Sequence, residues 1–529
     1  MSVLLNALKD NTNFTYTENG ALTHKTTKSA LLDMFAMGGA YRKRSDEDVI
    51  LLFKKAYEEN PVYALKCLFY LRDIRGGQGE RRFFRICIKW LANNDTDAMR
   101  RNLQYVPMFG RYDDLYLFVG TKLEKDAFQM MKRQLALDME CKTPSLLAKW
   151  LKSENTSSQV SRDLGNKTRM AFGMTHKQYR KTLSILRERI NVLERLMSAG
   201  KWDEIEFDKI PSRAGMIYKN AFARHDLERM RQDPTVQSYA DFAKDETKTV
   251  NAKVLYPYEC VHEALKMISS SYNYSYNYGY GYRGYKSVLP AMDDTNRLMV
   301  NKYWDNLADY FNGASFNGLA VVDTSGSMCG SQASAPINVA ISLGLYCAEN
   351  ANGPFKGHYI SFSSRPQLIA TEGVDFVDKV ARIWETNLCE NTNIEATFDL
   401  ILNTALANHM TQADLPENII VISDMEFDQA TGHYSWSYTG TDRVESYTNK
   451  ANTLMEKISA KWQANGYEMP HLIFWNVDAR HTNIPMIGNG NVSFVSGFSP
   501  SIFETIMSGK TGYELMMEKL NSPRYECIN

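Results

Sequence analysis

Asp323, Ser325 and Ser327 follow directly on the apolar run Leu319-Ala-Val-Val322, at the spacing D-x-S-x-S. A strand that is apolar on every residue belongs inside a parallel sheet, and ligands of such sheets gather at the strand's carboxyl end. One carboxylate and two hydroxyls converging there are hard oxygen donors. Few such donors suit Mg²⁺, which keeps several of its own waters.

Other chemistries ask for more than this loop offers. A nucleophilic Ser325 or Ser327 needs a histidine base and a G-x-S-x-G elbow. The frame Ser325-Gly-Ser-Met-Cys329 is not such an elbow, and none of His358, His409, His433, His471 or His481 sits in a motif. A phosphotransferase built on Asp323 calls for a second Asp where Ser325 stands. Two-metal nuclease chemistry needs a denser carboxylate cluster than Asp424, Glu426 and Asp428, whose alternation reads as a solvated loop. No catalysis is expected.

The elements that must position these residues are legible downstream. Apolar runs at 357–364, 417–423, 471–477 and 492–495 read as short buried strands. Helical spacing lies between them, at 335–349, from Ile394 onward, and at 444–463. Strands alternating with helices predict a doubly wound α/β domain. Thr392 falls in a strand-to-helix loop, and Asp424 closes the strand 417–423. This pattern resembles a von Willebrand factor A (vWA) domain with its metal-ion-dependent adhesion site (MIDAS). The resemblance implies a divalent cation, Mg²⁺ or its like, on Asp323, Ser325, Ser327, Thr392 and Asp424. The family's Thr is usually followed by Asp; Asn393 stands there instead, which makes the surroundings of the ion less acidic.

At 529 residues the chain is long enough for two or three domains, and its composition (44% hydrophobic, 23% charged) is that of a soluble globular protein. No apolar run reaches a membrane span, and the opening Met-Ser-Val-Leu-Leu-Asn-Ala-Leu-Lys-Asp is too short and polar for a signal peptide. Eight scattered cysteines without a C-x-x-C pair suit reduced, mostly buried thiols and a cytoplasmic setting, with Cys329 a packing residue. The zero net charge hides an asymmetry. Residues 311–529 hold 12 Lys and Arg against 23 Asp and Glu, and residues 1–310 hold 49 against 38. The stretch 162–231 concentrates the excess, 16 basic against 9 acidic. Such a field draws polyanions through phosphate contacts and counterion release, or offsets an acidic domain.

The first 310 residues read as almost wholly helical, with apolar spacing at 30–38, 46–58, 61–71, 80–93, 123–139, 144–152, 176–199 and 215–230. Helices joined by short turns predict an α-helical repeat, a HEAT-like solenoid. Arg72-Asp-Ile-Arg-Gly-Gly-Gln-Gly-Glu-Arg81 is a glycine-rich turn among arginines that lacks the Lys-Ser/Thr of a P-loop. It either meets RNA phosphates or joins two helices, with Arg72, Asp73 and Glu80 in salt bridges. Gly110-Arg-Tyr-Asp-Asp-Leu115 reads as a capping turn. The tyrosine-rich tract 269–287 cannot pack a core; it is a flexible insertion, or a platform for stacking bases. A shorter loop of that kind, 432–448, follows Asp424 and is placed to overhang the metal face.

A helical region before a vWA-like domain, together with the two motifs above, Trp202, Pro211-Ser-Arg-Ala214 and Asp323-Thr-Ser-Gly-Ser-Met328, resembles the TROVE-domain family of Ro autoantigens, or a sister group of it. The resemblance implies two domains, 1–310 and 311–529. It also implies a helical part able to close into a ring and to bind small noncoding or misfolded RNA on a basic surface. On that implication Lys167, Arg169, Lys177, Arg180, Lys181, Arg187 and Arg213 are the expected RNA contacts. The alternative is a scaffold without RNA, in which a protein partner's acidic side chain completes the shell of the MIDAS ion. No membrane partner is expected.

Overall fold

The computed structural model describes residues 13–271, 294–311, 313, 316–330, 332–362, 365–386, 393–428, 453–486, 491–506 and 510–529. Thr392, the tyrosine tract beyond residue 271 and the loop 432–448 therefore lie outside the described residues.

The chain opens with a small antiparallel hairpin, β1 (Phe14–Tyr16) and β2 (Leu22–His24), and a short helix, α1 (Ala30–Met37). Then come α2 (Asp46–Glu59), α3 (Pro61–Arg72), α4 (Arg82–Asn94), α5 (Glu124–Glu140), α6 (Gln159–Phe172), α7 (His176–Arg189) and α8 (Ser212–Arg224). Two more helices, α9 (Pro257–Ser271) and α10 (Asp294–Asp305), precede the alternating part. That part runs β3 (Gly318–Asp323), α11 (Pro336–Asn350), β4 (His358–Phe362), β5 (Leu368–Ala370), α12 (Phe376–Thr386) and α13 (Ile394–Ala407). It continues with β6 (Asn418–Ser423), α14 (Leu454–Ala464), β7 (His471–Asn476) and β8 (Val492–Ser496).

Local sequence explains the boundaries. The Asn60 side chain accepts the Tyr63 amide ahead of α3, whose first residue is Pro61, the helical position that needs no donor. Ser158 caps α6, and Gly173 ends it in the left-handed region at φ 71°. Thr175 and Gln178 form a reciprocal capping box on α7.

By packing, the chain divides otherwise than at 310/311. One compact unit holds residues 1–45 and 255–519, and the other holds 46–254 with the last ten residues. The reason is local on each side. The hairpin supplies backbone and hydroxyl donors to loops of the sheet, and Gly39, just after α1, donates its amide to the Ser496 hydroxyl at 3.0 Å, so the chain start belongs with the α/β unit. Arg524 and Tyr525 bind Asp73 in the helical unit: Arg524 Nη2 donates at 2.8 Å and the Tyr525 hydroxyl at 3.0 Å.

In the α/β unit the sheet order is β5-β4-β3-β6-β7-β8, parallel except for the edge pair β4–β5. β3 and β7 are buried along their whole length. Because β3 is followed in the sheet by β4 on one side and by β6 on the other, the crevice at the carboxyl ends of β3 and β6 is the topological switch point.

In the helical unit the two sequence motifs build one core. Arg72 ends α3 and pairs with Asp114, not with Asp73 or Glu80. Asp114 also takes Arg85 Nε at 2.6 Å. Glu80 caps α4, accepting the Arg82 amide at 2.8 Å. A Cβ on Gly77 would overlap the Tyr70 carbonyl, and one on Gly110 would overlap the Asp114 carboxylate, so both positions admit only glycine. Among the described residues no helix is long and apolar enough to cross a membrane.

Candidate functional site

The switch-point crevice is where the D-x-S-x-S loop lands. Asp323 is the last residue of β3 and is fully buried, Asp424 follows β6 directly and is 1% exposed, and Ser325 is buried beside them. Asp323 Oδ1 accepts the Ser325 amide at 2.9 Å, and the Ser325 and Ser327 hydroxyls lie 2.9 Å apart. Ser423, which the sequence did not single out, donates its hydroxyl to Asp323 Oδ2 at 2.5 Å and accepts the Met425 amide at 3.0 Å. Met425 is held at φ 65°, a left-handed conformation that is unfavourable for methionine. Such strain persists only where surrounding contacts over-determine the loop.

The electrostatics of this loop cluster follow from crowding. Burial, and then the charge of Asp424, push the Asp323 carboxyl up to about 7, against the hydrogen bonds from Ser423 and Ser325. Arg480, just beyond β7, donates Nη2 to Asp424 Oδ2 at 3.0 Å and Nη1 to Glu18 at 2.6 Å. Burial works against the Arg480 charge, yet Asp424, Glu18 and Glu426 hold its pKa above the ordinary value.

The acids after β6 are not a solvated loop: Glu426 is fully buried, and its Oε1 meets His481 Nδ1 at 2.9 Å. Glu18, Glu426 and His481 each bring one ligand atom within 4.8 Å of the others, with the Arg480 guanidinium on Glu18. The N-terminal hairpin ties this loop down. Thr17 donates its hydroxyl to the Phe427 carbonyl at 2.6 Å, Asn19 donates to the Glu426 carbonyl at 2.7 Å, and Glu426 Oε2 accepts the Glu18 amide at 2.6 Å. Thr23 Oγ1 and the His24 amide hold Ile484, beyond β7, in the same way. The sequence carried no signal for Glu18 or Arg480, because both act through partners hundreds or tens of positions away. Cys329 is exposed, where packing was expected; its thiol lies 3.8 Å from the Ser325 carbonyl, and it is the preceding Met328 that is buried.

Of the seven expected RNA contacts, Lys167, Lys177, Arg180, Lys181 and Arg213 are exposed. Lys177 and Lys181 have no carboxylate partner among the described residues, and Arg180 Nε reaches only the His176 carbonyl, at 3.3 Å. Arg169 and Arg187 are engaged inside the unit instead. Arg169 pairs with Glu154 at 2.8 Å and donates to the Met174 carbonyl. Arg187 donates to the Ala148 and Leu151 carbonyls, both at 2.9 Å, and to the Ser153 hydroxyl. These two fasten α6 and α7 to the preceding loop, because a guanidinium's fixed fork is suited to bridging loose carbonyls.

Two families match the chain: the domain of unknown function DUF7788 over residues 317–524, and the domain of unknown function DUF2828 over residues 17–144 and 135–312. Uncharacterized protein L728 of Acanthamoeba polyphaga mimivirus is 28% identical over 535 aligned residues, covering 94% of this chain and 85% of its own length. Among solved structures, the crystal structure of the Deinococcus radiodurans Ro (RSR) protein is similar at 12% identity and a TM-score of 0.45, over 92% of this chain and 100% of that one.

Proposed function

We propose that this chain, which belongs to the DUF2828 family, is a non-enzymatic RNA-binding protein of the Ro kind, holding small noncoding or misfolded RNA on its helical unit. The observation that carries the reading is the outer face of α7, where Lys177, Arg180 and Lys181 stand exposed and without carboxylate partners. They belong to a unit with 39 Lys and Arg against 30 Asp and Glu, whereas the α/β unit has 22 against 31. Charge left unneutralised on a folded surface attracts phosphate without reading sequence. The test is the nucleic acid extracted from the protein purified from cells, followed by RNA titration at low salt. Copurifying RNA and steeply salt-dependent binding support the reading; a nucleic-acid-free protein that ignores RNA at low salt defeats it.

A second reading concerns the α/β unit: a divalent cation at the switch point recruits a protein partner through that partner's acidic side chain. The donor set fits Mg²⁺. Asp323, Ser325, Ser327 and Asp424 offer only hard oxygens, and among the described residues Arg480, on Asp424, is the one cation paired with these two buried carboxylates. When bound, the ion supplies an open coordination position for a carboxylate. The residues would hold it once Arg480 turns from Asp424 towards Glu18, which it already contacts. A pull-down lost both in EDTA and on Asp323→Ala, with RNA binding unchanged, separates this reading from the first.

A further inference from the structure

Helix α5 carries Lys125, Phe128, Gln129, Lys132, Arg133 and Ala136 at positions i, i+3, i+4, i+7, i+8 and i+11, which places them in one stripe along the helix. On α6, Lys167, Met170 and Ala171 repeat that spacing. The two stripes face each other across an open groove of about 810 Å³. Four of the groove's side chains are cationic: Lys125, Lys132, Arg133 and Lys167. All four are exposed, and among the described residues none has a carboxylate partner.

Glu124, the one carboxylate in the lining, is turned to the Gly120 amide at 2.6 Å. Lys132 leans across towards α6: its Nζ lies 3.9 Å from where a Cβ on Gly173 would stand. Four like charges along one groove repel one another, and among the described residues none of them is held in a salt bridge. The floor, Phe128 and Met170 with two alanines, offers no free aromatic face. Phe128 is buried, so unpaired bases have nothing to stack on.

We infer that the groove between α5 and α6 is a track for the phosphodiester backbone of RNA, gripping successive phosphates without reading bases. The inference rests on the RNA-binding reading and adds a location to it, with Lys125, Lys132 and Arg133 outside the basic stretch 162–231. The groove differs from the α7 face in being concave, so that a backbone lying in it meets cations on both walls.

The experiment is fluorescence anisotropy of the full chain with a labelled RNA stem-loop, titrated between about 50 and about 200 mM KCl. The variant Lys125→Gln, Lys132→Gln, Arg133→Gln, Lys167→Gln is expected to bind at least about tenfold more weakly. Its slope of log K against log salt falls by about 3.6, since each of the four phosphate contacts contributes about 0.9. Should that variant not fold, Lys132→Gln and Lys167→Gln taken singly each lower the slope by just under one. Unchanged affinity and slope in the folded variants, with the wild type still binding RNA, overturns the groove alone. A wild type that ignores the stem-loop at low salt overturns both the groove and the RNA reading. Binding of poly-glutamate in place of RNA, lost in the same variants, overturns the phosphate assignment in favour of an acidic protein.

Discussion

The Arg72 guanidinium and the Asp114 carboxylate meet at 2.8 Å with both side chains buried, 42 positions apart in the chain. Arg85 closes the pair from a third segment at 2.6 Å, and the Arg111 amide donates to the same carboxylate at 3.1 Å. Removing one member leaves a charge buried without its partner, which costs about 3–5 kcal/mol. Asp114→Asn is expected to lower stability by that amount in denaturant unfolding of the full chain.

The same carboxylate sets an acid limit. Burial alone would lift the Asp114 pKa, but Arg72 and Arg85 outweigh it and hold the group below its usual value. A depressed native pKa gives stability that is present above the ordinary carboxylate value and lost as pH falls through the lower native one. The wild type should therefore lose stability below about pH 4, and Asp114→Asn should lack that component of the loss. Unfolding midpoints measured from neutral to acid pH check the sign.

The arginines and lysines of 162–231 should separate by role. Lys177→Glu, Arg180→Glu and Lys181→Glu together weaken RNA binding at least about tenfold at low salt and shift stability by only about 0.5 kcal/mol each. Arg187→Ala removes three internal hydrogen bonds and costs about 1–3 kcal/mol, while leaving the salt dependence of RNA binding in place. Anisotropy and thermal melts on both variants make the comparison.

For the α/β unit, Mg²⁺ should stabilise by mass action, by about 2.7 kcal/mol at a hundredfold excess over its dissociation constant, and so raise the thermal midpoint. Asp323→Asn abolishes the rise. Arg480→Gln enlarges it at a given Mg²⁺ concentration, because the guanidinium no longer competes for Asp424. Differential scanning fluorimetry with and without EDTA reads all three.

The hairpin's grip on the loop after β6 is testable by itself. Thr17→Val deletes the donor to the Phe427 carbonyl and the acceptor of the Ala21 amide, at a cost of about 1–2 kcal/mol. Hydrogen exchange should quicken at Met425, Glu426 and Phe427 before it quickens in β6.

Much of the fold was legible. The strands at 358–362, 418–423, 471–476 and 492–496 and the helix from Ile394 lie within a residue or two of where their apolar runs predicted them. Period and capping are local properties, and they survive whatever surrounds them. Helix α6 was missed: only Gly165, Thr168 and Phe172 on it are buried, so it carries little apolar signal, and its Ser158 cap and Gly173 stop were the available cues.

The candidate site divides along the same line. Asp323, Ser325, Ser327 and Asp424 could be named from the chain alone, because their chemistry is written within a few residues of strand ends. That Asp323 meets the Ser423 hydroxyl, that Arg480 sits on Asp424, that Glu18 arrives from the chain start, and that Arg187 is a brace while Lys132 stands free were settled only by tertiary packing. A side chain's type fixes which bonds it can make. Which partner desolvates it, and whether its charge is answered, depends on segments that sequence distance conceals.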